Sequence, residues 1–445
     1  ECDDGNDVTW DGCAGGKISE WRVSQCPYGL ETGFSAASLK RGEFFAAWMD
    51  STPDPWLADA GISDTESAGC SWEYESQYAC ARFFEEGGSP AGSQTNLIYV
   101  GEHGNEYAPK LSGVAALAFG SGASAALLMI DDELSMVAAN EQYAEWSTSL
   151  PGLGAMPVPV ALGGDQALLF EPSEEGVIVG LVGASGGTLP TLLALESLVG
   201  IEMESLTATR VGEHGFVVAW NTLKTDEHPQ QAWMQLLDER LHVVSDGLTQ
   251  LASGEGKERN PSVAWLGGKE FVAVWQGSSE TGAPAVWGQR FLFDAGPIAA
   301  PFLVSTNSSE NSLGTTPRAA GLLDGGLVVA WTGLDGNQIG IFGRRFDSAG
   351  DKAGPEFQIN THTTAMQDYP VVFAQPSGAF VVLWQSCPHV WEGVPDDFFS
   401  GTRHCAVAMQ RFNPLGGRMW KDCNDGLCGD DETCQSCPKD CGPCP

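Results

Sequence analysis

Short apolar runs separated by turn residues dominate the middle of the chain, and they recur at a fixed spacing. Pro317 to Trp331 reads as a strand, a turn at Asp324-Gly325-Gly326, and a second strand ending in Leu327-Val328-Val329-Ala330-Trp331. The same layout runs from Pro261 to Trp275 and from Pro370 to Trp384, each time with Trp 14 positions after Pro. A third strand follows each Trp and ends in an Arg-Phe pair, at Arg290-Phe291, Arg345-Phe346 and Arg411-Phe412. A fourth reads as Phe302-Leu303-Val304-Ser305-Thr306 and Phe357-Gln358-Ile359-Asn360-Thr361. Further copies are Phe44-Phe45-Ala46-Ala47-Trp48, with Arg82-Phe83, and Phe216-Val217-Val218-Ala219-Trp220. Weaker ones centre on Leu127-Leu128-Met129 and Leu168-Leu169-Phe170. Anchors at 48, 129, 170, 220, 275, 331 and 384 give four short strands per unit of about 50 residues, the pattern of repeated sheet blades. The expected fold is all-β, a seven-bladed β-propeller with small disulfide-rich modules at its ends.

The same pattern sets boundaries. Residues 1–16 form a partial cysteine-rich module, 17–420 the propeller and 421–445 a second disulfide-rich module. The last unit has no evident fourth strand after Arg411-Phe412-Asn413-Pro414, whereas Ile18 to Ser24 reads as a fourth strand without its first three. Pairing residues 17–25 into the last unit covers an edge that otherwise recruits another chain. The uncharged run Leu111–Ile130 has the length of a membrane span, but Gly120-Ser121-Gly122 at its middle predicts two strands and a turn. No transmembrane segment is expected.

Cysteine placement adds a compartment. Cys2, Cys13 and Cys26 lie near one end, Cys423, Cys428, Cys434, Cys437, Cys441 and Cys444 near the other, and Cys70, Cys80, Cys387 and Cys405 between them. All 13 are expected in disulfides, the dense use of cysteine typical of an oxidising compartment, so the chain is secreted or held on the outer cell surface. Cys70 with Cys80 and Cys387 with Cys405 fall between a Trp strand and the next Arg-Phe strand, where each pair pins an inserted loop. The odd total and the opening Glu1-Cys2-Asp3-Asp4, which is no leader peptide, suggest a trimmed precursor.

The opening Cys2-Asp3-Asp4-Gly5-Asn6, followed by Asp11-Gly12-Cys13, resembles the second half of the Myxococcus-type cysteine-rich repeat. The tail, Cys423-Asn424-Asp425-Gly426-Leu427-Cys428 onward to Cys441-Gly442-Pro443-Cys444, is similar to a related module. The resemblance implies exported proteins of myxobacteria and their relatives, with these cysteines bridged. In that family a further cysteine precedes the first block; here it is absent, and the family's last cysteine has only the distant Cys26 as a counterpart.

Charge narrows the ligands. With 22 Lys and Arg against 58 Asp and Glu the formal charge is −36, which disfavours nucleic acid and anionic membranes. Hard oxygen donors suit calcium, and Asp3, Asp4, Asn6 and Asp11 at one end, with Asn424, Asp425, Glu432 and Asp440 at the other, are the candidate ligands. Neither run has EF-hand spacing, and solvated turn-capping acids are the plainer reading. No nucleophile elbow, phosphate loop or dinucleotide fingerprint occurs, and no catalytic residue is assigned. Gly-Glu-His-Gly occurs twice, at Gly101 to Gly104 and Gly212 to Gly215, the second as a turn before Phe216. The repeated tryptophans suit packing between sheets better than sugar stacking. The expected function is a non-catalytic extracellular or cell-surface binding or structural protein, with a protein or glycan partner or with copies of itself in an extracellular assembly. The alternative is a secreted propeller hydrolase or lyase acting on polysaccharide.

Overall fold

The structure is a computed structural model. It describes residues 11–14, 17–23, 30–51, 76–88, 90–91, 95–102, 111–139, 144–150, 156–173, 176–184, 188–189, 203–222, 230–244, 248–251, 258–279, 281–305, 316–336, 338–363, 366–387 and 405–419. Every regular element among them is a strand.

Two strands open the chain, β1 (Asp11–Ala14) and β2 (Lys17–Arg22). Then come sheets in sequence order. The first is β3 (Leu30–Ser38), β4 (Phe44–Ser51), β5 (Ser76–Phe84) and β6 (Thr95–Glu102). The second is β7 (Leu111–Ala118), β8 (Ser124–Ile130), β9 (Glu133–Ala139) and β10 (Ala144–Ser149). The third is β11 (Val158–Gly163), β12 (Gln166–Ser173), β13 (Gly176–Gly183) and β14 (Thr188–Leu189). The fourth is β15 (Met203–Val211), β16 (Gly215–Thr222), β17 (Ala232–Leu237) and β18 (Thr249–Leu251). The fifth is β19 (Arg259–Gly267), β20 (Glu270–Ser278) and β21 (Pro284–Leu292), edged by β22 (Gly296–Pro297) and β23 (Phe302–Leu303).

The remaining strands form two antiparallel groups. One is β24 (Arg318–Gly321), β25 (Leu327–Leu334), β26 (Ile339–Phe346) and β27 (Phe357–Gln358). The other is β28 (Met366–Ala374), β29 (Phe380–Cys387), β30 (Ala406–Phe412) and β31 (Arg418–Met419). A single parallel pairing, Ile339 with Met366, joins the two groups into one ten-stranded sheet. The first strands of successive groups touch in order, from β3 to β7, β11, β15, β19, β24 and β28, and β28 touches β3. Groups of four or five short antiparallel strands packed face to face in sequence make the chain an all-β propeller. The run Leu111–Ile130 is two strands joined by a turn, and no described helix is long and apolar enough to cross a membrane.

The core lies between sheets, and tryptophan wedges it. Trp48, Trp220, Trp275, Trp331 and Trp384 are each 0% exposed. Each sits in the second strand of its group and packs into the cluster shared with the preceding group; for Trp48 that group is the last one, through Val381, Leu383, Val407 and Met409. Strand register revises the two weaker anchors. Ser38 pairs with Phe44 as Ala118 pairs with Ser124, which puts Leu128, not Met129, at the Trp48 position. Trp265 pairs with Phe271 as Ala161 pairs with Ala167, which puts Glu171, not Phe170, at the Trp275 position.

The Arg-Phe reading of the first group shifts likewise. Phe44 pairs with Phe84 as Leu327 pairs with Phe346, so Arg82 matches Arg344 and not Arg345.

Candidate functional site

Each group presents two edges. The turn edge carries the connections from first to second and from third to fourth strands. At the opposite edge first strands begin and second strands end, and the two long inserts, 52–75 after β4 and 388–404 after β29, both leave from there. Because Trp48 packs onto the last group, the two inserts arise from adjacent sheets. Cys387 and Cys405 form a disulfide at the root of the second insert, both buried. Cys80 is buried in β5 opposite Trp48. Cys13 lies in β1 paired with Ile18. Cys2, Cys26, Cys70, Cys423, Cys428, Cys434, Cys437, Cys441 and Cys444 lie outside the described residues.

The calcium candidates divide the same way. Asp11 begins β1, while Asp3, Asp4, Asn6, Asn424, Asp425, Glu432 and Asp440 lie outside the described residues. Among the described residues no three His, Cys, Asp or Glu side chains draw together as a metal site. The second Gly-Glu-His-Gly is the predicted turn: His214 N donates to Val211 O at 3.0 Å just before β16. The five repeated tryptophans, fully enclosed, offer no stacking face to a ligand.

What the insert edge does offer is a row of polar side chains at the starts of the first strands. Ser205 Oγ donates to Asn221 Oδ1 at 2.6 Å, and Asn260 N donates to the same oxygen at 3.0 Å across the sheet boundary. Arg259 Nε donates to Gln276 Oε1 at 2.9 Å. Further round, Thr316 and Thr332 share a hydrogen bond of 3.0 Å between hydroxyls, and Thr332 Oγ1 donates to Asp368 Oδ1 at 2.9 Å. Tyr369 N donates to that oxygen at 2.7 Å. Burial pushes the Asp368 carboxyl up from its ordinary range, against the lowering effect of these bonds. Burial also pushes the half-buried Arg318 guanidinium down.

A backbone irregularity shapes two parts of this row, at Asn260 and at Asp368. β3, β19 and β28 each carry a bulge near their starts, between Thr32 and Ser35, Arg259 and Ser262, and Asp368 and Val371. In each bulge one residue takes positive φ: Gly33 at 50°, Asn260 at 50° and Tyr369 at 54°. The bulge re-aims the neighbouring side chains. Asp368 pairs with Gln385 and Met366 with Cys387, so Asp368 and Tyr369 stand beside the disulfide-bridged root of the second insert. Neither residue is prominent in the sequence; the available signal was Tyr369 preceding Pro370 at the place where Asn260 precedes Pro261.

Comparison with known proteins gives no matching family model and no matching curated protein. Solved structures with similar architecture include an alpha-L-arabinofuranosidase from Fusarium graminearum, at TM-score 0.43 and 11% identity, covering 88% of this chain and 97% of that one. A lectin from Burkholderia pseudomallei gives TM-score 0.44 and 13% identity, covering 80% of this chain and 96% of that one. The Dos1 propeller gives TM-score 0.43 and 11% identity over 82% of each chain.

Proposed function

We propose that this chain is an exported, non-catalytic binding scaffold, a closed seven-bladed ring whose insert edge holds an extracellular protein or glycan. The observation that supports it is the Cys387–Cys405 bridge beside the row of polar side chains. A disulfide joining residues 18 apart at the root of an insert restrains that segment where it meets the sheet. Such bonds persist outside the reducing cytoplasm. Loops restrained on a rigid scaffold are the usual carriers of recognition.

The test is cross-linking mass spectrometry on native cell-envelope material with a carboxylate-reactive reagent, chosen because the chain carries 58 Asp and Glu but only 22 Lys and Arg. Cross-links to partners concentrated in 52–75, 388–404 and the adjoining strand starts are expected. Cross-links confined to the turn edge would count against the reading. Calcium at the acidic termini is part of the same proposal: a chelator is expected to lower Tm, and an unchanged melting curve removes it.

One observation favours the alternative, hydrolysis or cleavage of polysaccharide. A partly buried carboxyl with a raised pKa, as Asp368 has, suits a general acid. Release of reducing ends from a polysaccharide by the wild type, lost in Asp368→Asn, is the outcome that would replace binding with catalysis.

A further inference from the structure

We propose that the start of β28 is a saccharide subsite, in which Tyr369 stacks against a neutral pyranose ring and Asp368 accepts hydrogen bonds from its hydroxyls. The inference rests on the scaffold reading and names the class of ligand for one part of its working edge.

The bulge position that Tyr369 occupies is held in two other groups by Gly33 and Asn260. Glycine and asparagine adopt left-handed backbone readily. A tyrosine there costs roughly 1–2 kcal/mol, and a following proline disfavours helical-type φ and ψ further. Burial does not offset this, because Tyr369 is 58% exposed. A strained residue whose ring projects into solvent contributes little to the fold that Asn would not supply. Strain of this kind persists where it serves a site.

The surroundings select the ligand. Six other large apolar side chains are exposed among the described residues: Val243, Val244, Trp265, Ile298, Leu323 and Leu415. All lie in or beside the connections of the turn edge. At the insert edge Tyr369 instead follows Asp368, whose carboxylate takes bonds from Tyr369 N and from Thr332, itself bonded to Thr316. A protein hot spot is typically enclosed by further packed contacts that exclude water. A pyranose presents an apolar C–H face beside a rim of hydroxyls, and an exposed aromatic ring next to a fixed carboxylate complements both. Asp368 is oriented in advance: Oδ1 takes bonds from Thr332 Oγ1 and Tyr369 N, so little side-chain entropy is lost when a sugar arrives.

The test uses the full chain on an array of immobilised neutral hexose oligosaccharides of gluco, galacto and manno configuration. Wild type is expected to bind at least one of them, and Tyr369→Phe to retain that binding. Tyr369→Asn is expected to weaken it by about tenfold or more, which is ~1.4 kcal/mol. Its Tm should equal or exceed that of wild type, because Asn accepts the backbone conformation. A tyrosine with only a structural role would instead lower Tm and leave binding unchanged. Should Tyr369→Asn not fold, Tyr369→Gly carries the same readout without a Cβ at φ 54°. Unchanged binding in these variants, or no binding of any probe by wild type, overturns the subsite. Partner cross-links at the inserts together with a silent array overturn it while leaving the scaffold reading in place; absence of both overturns the two together.

Discussion

Five indole rings occupy one register position in five strand groups, and none of their N–H groups has a hydrogen-bond acceptor. The apolar term decides that arrangement. A buried tryptophan removes ~150–250 Å² from water, worth ~4–6 kcal/mol at ~25 cal/mol per Å², against ~1–3 kcal/mol for one unmade bond. Leu128 and Glu171 at the same position explain why the second and third groups read weakly: the marker residue is absent although the strands are present. Asp368 shows the opposite balance. Its pKa is raised by burial, so the folded state holds the proton more tightly than the unfolded chain. Stability is therefore gained as pH falls through the folded-state pKa, and at neutral pH the buried charge carries its full cost. Asp368→Asn is expected to raise Tm at pH 7, with the difference from wild type shrinking towards pH 4 in a melting series. Asp368 and Tyr369 were not legible as a site beforehand, because a bulge depends on how two strands pair and neither side chain announces it.

At the scale of the element, the outermost strands show how the N-terminal segment is used. β23 pairs Phe302 and Leu303 with Gly288 and Trp287, and β27 pairs Phe357 and Gln358 with Gly343 and Phe342. β2 pairs Trp21 and Arg22 with Met409 and Ala408, at the same register against β30. The following residue repeats the match: Val304 N donates to Val286 O at 2.8 Å, Ile359 N to Ile341 O at 2.7 Å and Val23 N to Val407 O at 2.8 Å. Arg344 donates to Val304 O, and its counterpart Arg82 donates to Val23 O. Burial pushes the Arg82 pKa down to about 10, which still leaves it charged at neutral pH. The last group also has an outer strand not evident in the sequence, β31, because two residues paired with Arg411 and Phe412 carry no periodicity to recognise. Val23 and Val304 are both fully buried. Val23→Ala and Val304→Ala are therefore expected to cost similar amounts, ~1–3 kcal/mol each, read by denaturant titration. A negligible cost for Val23→Ala alone would show that β2 adds little to the last group.

Across the whole molecule, contacts between neighbouring groups carry the architecture. Arg411 Nε donates to Gln375 Oε1 at 2.8 Å, and Gln375 Nε2 donates to Gly42 O at 2.8 Å and Glu86 O at 2.9 Å, tying the last group to turns of the first. Arg290 Nη2 similarly donates to Ser348 O at 2.7 Å in the following group. The Cys387–Cys405 bridge lies apart from these ties, at the other edge. Replacing both cysteines with serine is expected to cost up to ~3 kcal/mol on the chain-entropy estimate and to abolish the expected cross-links from 388–404. Calorimetry on the double variant, paired with repeat cross-linking, checks both effects. The amino-acid sequence by itself determined the strand repeat, the second-strand tryptophans, the two-strand nature of Leu111–Ile130 and the partner of Cys387, because alternation, turn residues and spacing are local properties. Only the tertiary structure decided the register of the two alanine-rich groups, the register of β2 against β30 and the polar row at the insert edge. Those depend on which residues of distant strands face one another, and a one-residue shift in pairing sends each side chain to the other face of its sheet.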